Sequence, residues 1–209
     1  MNEDLSFWDD HYRACGNVWA GNVSELPELP AGSVVLEAGC GNGKTLSAME
    51  KKDWKIYGFD FSETASHLCR KNISANTYAE IFVSDASGLP FFDQTFDAIF
   101  ARHITGHSKK DKREIIAGEL KRVLKTGGLL FFSEFEMSDL RSKKGREIEE
   151  KTILKKNGIM THFFSEEETI ELFSGMTPLS VTTDRWSMII KGKENKRAEI
   201  NAVFKKNIQ

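Results

Sequence analysis

Val34-Val35-Leu36-Glu37-Ala38-Gly39-Cys40-Gly41-Asn42-Gly43 is the stretch on which the reading of this chain turns. A short apolar run ends in a carboxylate and opens into three glycines at alternate positions. A continuous run of this kind predicts a strand buried on both faces. The glycines permit a sharp turn and let a ligand lie against bare backbone beside a helix N-terminus. In an open α/β sheet, ligands sit beyond the carboxyl ends of the strands, so such a strand end supplies part of a site.

Further runs follow at even spacing: Ile56-Tyr57-Gly58-Phe59, Ile81-Phe82-Val83, Ala98-Ile99-Phe100 and Leu129-Leu130-Phe131-Phe132. Helical patterns at about Lys44–Lys51, Ser62–Asn72 and Lys109–Leu124 separate them, which predicts an α/β fold with a mainly parallel sheet covered on both faces. Ile115, Ile116, Leu120, Val123 and Leu124 form the apolar stripe of the last helix, and Gly127-Gly128 reads as its stop. Ser165 with Glu168 is a capping box for a short helix. Leu179–Ile190 and Ala198–Phe204, joined at Lys191–Asn195, read as a closing antiparallel hairpin.

The other strand ends test the site. The second ends in Asp60, 23 residues after Glu37, followed by Phe61 and the helix cap Ser62. An acid there can accept hydrogen bonds from both hydroxyls of a ribose. The third strand ends in Ser84-Asp85-Ala86 and the fourth in Ala101-Arg102-His103. Asp85 can read the amino edge of an adenine, or cap a helix. A diphosphate would be repelled by Glu37 and would require the longer G-x-G-x-x-G turn, which argues against a nicotinamide oxidoreductase. A nucleoside with a cationic amino-acid arm suits three carboxylates, and S-adenosylmethionine has that anatomy.

Taken together, residues Val34 to Glu134 resemble the class I, Rossmann-like S-adenosylmethionine-dependent methyltransferases. Val34–Gly43 looks like that family's first motif and Tyr57–Ser62 its second. Ser84–Phe91 resembles the adenine-side segment, and Glu119–Gly128 the helix-to-strand junction, with Thr126 where many members have proline. The resemblance implies a three-layer α/β/α sandwich with a seven-stranded, mainly parallel sheet whose last strand is antiparallel. It implies that Glu37, Ala38, Gly39, Cys40, Gly41, Asn42 and Gly43 hold the methionine arm. Asp60 with Phe61 and Ser62 would hold the adenosine, Asp85 with Ala86 would read its edge, and Ala101 and Arg102 would belong to the same cofactor site. Arg102 either neutralises an acidic substrate or pairs with a local carboxylate. S-adenosyl-L-homocysteine would be the product. Asp85-x-x-x-Leu89-Pro90-Phe91 is similar to small-molecule methyltransferases of the ubiquinone/menaquinone-biosynthesis type, so a small-molecule acceptor is the expected partner. Relatives that modify tRNA share nearly the same core.

Upstream, Trp8 and Tyr12 stand four apart on one helix face. They form either a packing staple or a lid over the cofactor, with Trp19 beyond. An aromatic face near a sulfonium gains about 1 kcal/mol of cation–π attraction. His103 and His107 follow the fourth strand on the acceptor side. His103 is the candidate base, needed only if the acceptor must lose a proton. Phe135, Met137, Met160, Phe163 and Phe164 suggest a partly apolar acceptor pocket, or core.

Composition agrees with this reading. The chain has 209 residues, 40% hydrophobic and 29% charged, and no apolar run of membrane length. That predicts one domain over 1–209, and the resemblance implies a methyltransferase domain with a helical lid segment at 1–30, a cofactor-binding core at 33–136, and an acceptor-side helix and hairpin at 137–209. Met1-Asn2-Glu3-Asp4 begins no secretory signal. Cys15, Cys40 and Cys69 share no metal-ligand spacing, so no metal is expected and a cytoplasmic setting is; Cys40 reads as a packing residue. The net charge of −2 gives no bulk pull toward nucleic acid. It divides as −5 for residues 1–137 and +3 for 138–209. The basic segments 141–156 and 191–197 are either solvated turns or a contact surface for an anionic substrate, the latter fitting an RNA or protein methyltransferase. A non-catalytic sensor of S-adenosylmethionine is a further alternative.

Overall fold

Each apolar run read above is a strand in the computed structural model, which describes residues 3–15, 25–74 and 78–208. Trp19 and Met1-Asn2 lie outside the described residues. Along the chain come helix α1 (Glu3–Cys15), strand β1 (Ser33–Ala38), α2 (Lys44–Met49), β2 (Trp54–Asp60), α3 (Glu63–Asn72) and β3 (Ala79–Val83). Then come β4 (Phe96–Arg102), α4 (Lys110–Val123) and β5 (Leu124–Phe135). A small unit follows of β6 (Arg146–Glu149), β7 (Thr152–Leu154) and β8 (Met160–His162). The last elements are α5 (Glu166–Leu172), β9 (Met176–Ile190) and β10 (Lys193–Lys206).

The main sheet has seven strands in the order β3-β2-β1-β4-β5-β10-β9. Neighbours from β3 to β5 pair in parallel, and β10 runs antiparallel to both β5 and β9. Successive side chains of a strand point to opposite faces. Val35, Ala98 and Phe100 therefore pack with Leu46 and Met49 of α2 and Cys69 of α3. Leu36, Ile99 and Ala101 pack on the other face with Ile116, Ala117, Leu120 and Val123 of α4. Rossmann-like layering is thus a consequence of strands apolar on both sides.

Several local expectations are corrected. β3 is an edge strand, not one buried on both faces: Val83 is exposed, and no strand pairs beyond β3 among the described residues. Ile115 faces solvent, and Arg113 takes the buried place on α4, donating to Ser108 O at 2.7 Å. Gly127-Gly128 does not stop that helix. It ends at Val123, since Leu124 already pairs with Phe96 of β4. The glycines form the irregularity that follows, where the register shifts before Leu129 meets Ala98. The hairpin turn is only Lys191-Gly192, with φ of 50° and 73°, the two positive values a tight two-residue turn requires.

The region 137–165 contains the three-stranded antiparallel sheet β6-β7-β8, whose strands are too short to stand out as patterns. It buries Phe163 with Phe135 and Ile153, while Phe164 joins the main core. Those aromatics are therefore core, and Met137 is exposed.

Candidate active site

Turns at the carboxyl ends of β1, β2 and β4 and after β3 meet in one cavity of about 280 Å³. Trp8, Tyr12, Glu37, Gly39, Cys40, Gly41, Asn42, Asp60, Phe61, Asp85, Ala86, Arg102 and His103 all line it. Thirteen residues chosen from scattered positions thus share one wall. Ala38, Gly43, Ser62 and Ala101 do not. Ala38 and Ala101 follow and precede inward-facing residues, so alternation sends them into the core. The Ser62 hydroxyl caps α3, accepting from Ala65 N at 3.1 Å, and donates to Asp9. Gly43 precedes α2 at φ 84° and is packed against Cys69.

Three acids line the cavity from the ends of β1 and β2 and from the turn after β3. Glu37 is buried, and its Oε2 has no hydrogen-bond partner among the described residues. Burial raises its carboxyl to about 7, opposed by nearby Arg102 and a bond from Thr45. A cation beside that oxygen would supply the missing partner, which is what an ammonium on a methionine arm offers. Asp60 accepts from Gly41 N at 2.9 Å and from Ser62 N at 3.0 Å. Burial still raises it to about 6. These bonds clamp the glycine turn to β2 and leave lone pairs free for a ribose. Asp85 is both turn cap and cavity wall: Oδ1 takes Ser87 N at 2.9 Å and Ser87 Oγ at 2.8 Å, and Oδ2 takes Lys112 Nζ at 2.8 Å. Against its partial burial, the lysine and serine bonds hold its carboxyl below the usual value.

Gly41 needs its missing side chain. Its φ is +53°, and a Cβ there would stand 2.7 Å from the Tyr12 hydroxyl. α1 is both staple and wall: Trp8 and Tyr12 pack on Ala65 and Ile159 while facing the cavity. Asp9 ties the helix to the start of α3 by accepting from Ser62 Oγ and from Thr64 N at 3.2 Å. The Cys40 thiol is pushed up by its contact with Cys69 and by burial, which suits a packing residue.

On the opposite side stand two histidines and two acids. His103 adopts φ 53°, unusual for a residue with a side chain. Its N–H donates to Ser133 O at 2.8 Å, its ring stacks on Phe135 at 4.1 Å, and its Nε2 lies 2.8 Å from Glu199 Oε1. Its Nδ1 is 3.9 Å from Glu134 Oε2. Glu134 is buried at the end of β5, accepting from Thr105 Oγ1 and Gly106 N at 2.8 Å each. His107 faces the Trp8 ring at 4.8 Å, and its Nδ1 stands 2.8 Å from Met160 O. A carbonyl can only accept, so Nδ1 carries the hydrogen and Nε2 is left as an acceptor. That Nε2 is buried without a partner among the described residues. Burial lowers His107 to about 4, which keeps the ring neutral.

Comparison with known proteins agrees with this geometry. The model of a methyltransferase domain matches residues 36–132. A SAM-dependent methyltransferase structure from Methanosarcina mazei superposes with a TM-score of 0.71 at 24% identity, covering 87% of this chain and 95% of that one. The tRNA N(3)-cytidine methyltransferase METTL2 of Danio rerio is 32% identical over 184 residues, 81% of this chain and 52% of the relative. O-methyltransferase 3 of Dictyostelium discoideum is 31% identical over 171 residues, 75% of this chain and 39% of the relative.

The chain carries a class I S-adenosylmethionine-dependent methyltransferase domain.

The methyltransferase domain takes S-adenosylmethionine as its cofactor, and the orphaned Glu37 oxygen fits that cation. The chain spans about half the length of the METTL2 relatives it matches. No helix among the described residues is long and apolar enough to cross a membrane, and no cluster of metal-ligating residues occurs among them.

Sequence reasoning missed several residues of the methyltransferase cavity. Lys112 and Glu199 line it, and Glu134 supports it. Glu134 could have been found by reading the end of the fifth strand as the first four were read. Glu199 carries no such signal. It reaches His103 only because β10 pairs with β5, setting Glu199 opposite Phe135.

Proposed function

We propose that this methyltransferase domain moves the methyl group of S-adenosylmethionine to a ring nitrogen of a cytosine in RNA. The observation that carries the reading is the similarity to METTL2, which runs over 184 residues and so extends well past 36–132 into the acceptor side. The acceptor nitrogen bonds the methyl carbon as the sulfur–carbon bond breaks, and that electron pair returns to sulfur. Positive charge passes to the base, so no proton has to leave first. Positioning is then most of what the protein must supply, and it can contribute several kcal/mol.

In this reading Glu37 receives the ammonium of the methionine arm, and Gly39 and Gly41 let it lie on the backbone beside Cys40 and Asn42. Asp60 holds the ribose, Phe61 packs on adenine, Asp85 with Ala86 reads its edge, and Trp8 with Tyr12 covers it. Arg102 balances Glu37. The neutral His107 Nε2 accepts a hydrogen bond from the exocyclic amine of the base. His103, held by Glu199, lies against the acceptor. The acidic lining suits a cationic donor and a cationic product alike.

A second reading is favoured by the similarity to an O-methyltransferase. A hydroxyl acceptor must lose a proton, and His103 backed by Glu199 would be the base. One assay separates the two. The protein is first titrated with S-adenosylhomocysteine, then incubated with methyl-labelled S-adenosylmethionine and bulk tRNA, and the RNA is digested to nucleosides for mass spectrometry. Label in 3-methylcytidine is the expected result. Binding of S-adenosylhomocysteine with no label in RNA, and label instead in a pool of small phenols and acids, overturns the first reading.

A further inference from the structure

The terminal hairpin outruns the sheet that carries it. β10 pairs with β5 from Glu199 to Lys205, whereas Lys193–Ala198 pair only with β9. Because β10 runs antiparallel to β5, this two-stranded ribbon projects past the carboxyl end of β5. The base of the ribbon reaches the cavity, because Glu199 lines it.

Register assigns the two faces of the ribbon. Lys193 pairs with Ile190, Asn195 with Met188 and Arg197 with Trp186, so these six share a face. Alternation along β10 puts Lys193, Asn195 and Arg197 on the same side as Glu199, the cavity side. Glu194, the acid of the ribbon tip, falls on the opposite face with Lys196, Ser187 and Ile189. From Lys193 to Arg197 the cavity-side face therefore carries two cations, an amide, Ile190, Met188 and Trp186, which is 41% exposed, and its acids, Glu199 and Asp184, stand only at the base.

The other basic segment meets this face. Asp139 is buried and binds Arg197 Nε at 2.7 Å, Ala198 N at 3.1 Å and Arg141 Nη1 at 3.2 Å. Arg141 lies over the Phe135 ring at 4.3 Å, on the ring that stacks with His103. Two basic stretches far apart in the chain are thereby pinned beside the acceptor end of the cavity. In the same two stretches, Lys143, Lys144, Arg146, Lys191 and Lys193 are exposed and form no ion pair among the described residues. The low net charge of the chain conceals this local concentration.

From this juxtaposition we infer that the cavity-side face of the ribbon, with the Lys143-Lys144 segment, is the docking surface for an RNA backbone whose base enters the cavity. The inference rests on the RNA reading above and adds the surface that reads it. Phosphates meet Lys143, Lys144 and Lys193, and a neighbouring base stacks on Trp186.

The test compares the protein with K143E/K144E/K193E and with K196E, which reverses a charge on the far face. Affinity for tRNA is measured by fluorescence anisotropy without S-adenosylmethionine across a salt series, and the affinity for S-adenosylhomocysteine is measured separately. For wild type, log affinity should fall steeply with log salt, each neutralised phosphate giving a slope of about −0.7 to −0.9. The triple variant should bind tRNA at least tenfold more weakly, with a slope shallower by about two, while its affinity for S-adenosylhomocysteine stays within twofold. K196E should behave like wild type. Equal losses in K196E and the triple variant, or an unchanged triple variant, overturn the assignment of this face. Salt-dependent tRNA binding without methylated product would instead fault the acceptor reading and leave the surface standing.

Discussion

His103 Nε2 and Glu199 Oε1 stand 2.8 Å apart, joining the end of β4 to the reversed strand β10. The contact holds a histidine whose backbone is in the left-handed region, so the ring is placed by its partners. Glu199→Gln should leave the fold and the affinity for S-adenosylhomocysteine intact, since the side chain touches neither Glu37 nor Asp60. Single-turnover methyl transfer should slow about tenfold, in keeping with the loss of a charged hydrogen bond of about 1.5 kcal/mol. An unchanged rate would separate His103 from the reaction.

Glu37→Gln keeps the shape of the side chain and removes its charge. Cofactor affinity should fall by about ten- to a hundredfold, the range of one charge-assisted hydrogen bond. Calorimetry with S-adenosylhomocysteine reads this directly, and a dissociation constant within twofold of wild type would place the ammonium elsewhere.

The same two carboxyls make cofactor binding depend on pH. Glu37 titrates near 7 and Asp60 near 6 in the free domain. A bound cation favours the ionised form, so binding at or below pH 7 releases protons. Affinity should therefore weaken as pH falls from 7 toward 5.5, approaching tenfold per unit, and the slope should be shallower in Glu37→Gln. Calorimetry in buffers of different ionisation enthalpy counts the protons, and zero release in wild type at pH 6.5 refutes the arrangement.

His107 makes the opposite prediction for stability. Its folded pKa of about 4 lies below the usual 6.5, so the neutral ring is the one the fold accommodates. Stability from this group is present above about 6.5 and is lost as pH falls through about 4. Urea unfolding at pH 7 and pH 4.5 should show wild type losing more than His107→Leu, by on the order of 2 kcal/mol. The same variant should raise KM for the acceptor with little effect on S-adenosylhomocysteine binding. Equal losses in both proteins would show that the ring is not constrained as neutral.

Gly41→Ala meets two obstacles, a φ of +53° and the Tyr12 hydroxyl at 2.7 Å from the new methyl. Either the turn or α1 must move. Cofactor affinity should drop at least tenfold, and Gly41→Ala/Tyr12→Phe should recover part of it, because removing the hydroxyl relieves the contact but not the backbone strain. No recovery would assign the whole effect to the backbone.

Much of the cavity lining is legible in the sequence because its signals are local. Glu37, Asp60, Asp85 and Arg102 each sit at the end of an apolar run, and strand ends in a parallel sheet share one edge. The four candidates that do not line the cavity, Ala38, Gly43, Ser62 and Ala101, lie within a residue of ones that do. Alternation and capping divide these motifs, sending one neighbour to the cavity and the next into the core or a helix cap. The acceptor half was far less legible. Phe135, Phe163 and Phe164 carry the same composition whether they line a pocket or fill a core, and only packing distinguishes the two.

Sequence by itself determined the strand order's raw material, the glycine turn, the helix caps at Ser62 and Ser165, and the carboxylates that line one cavity. These depend on periodicity, turn chemistry and charge within a few residues. Tertiary structure alone decided that Glu199 and Glu134 close around His103, that Met160 O fixes the proton on His107, and that Asp139 gathers Arg141 and Arg197 beside the cavity. Those contacts join positions far apart in the chain, and their geometry is set by sheet register and by the burial of groups that must find partners.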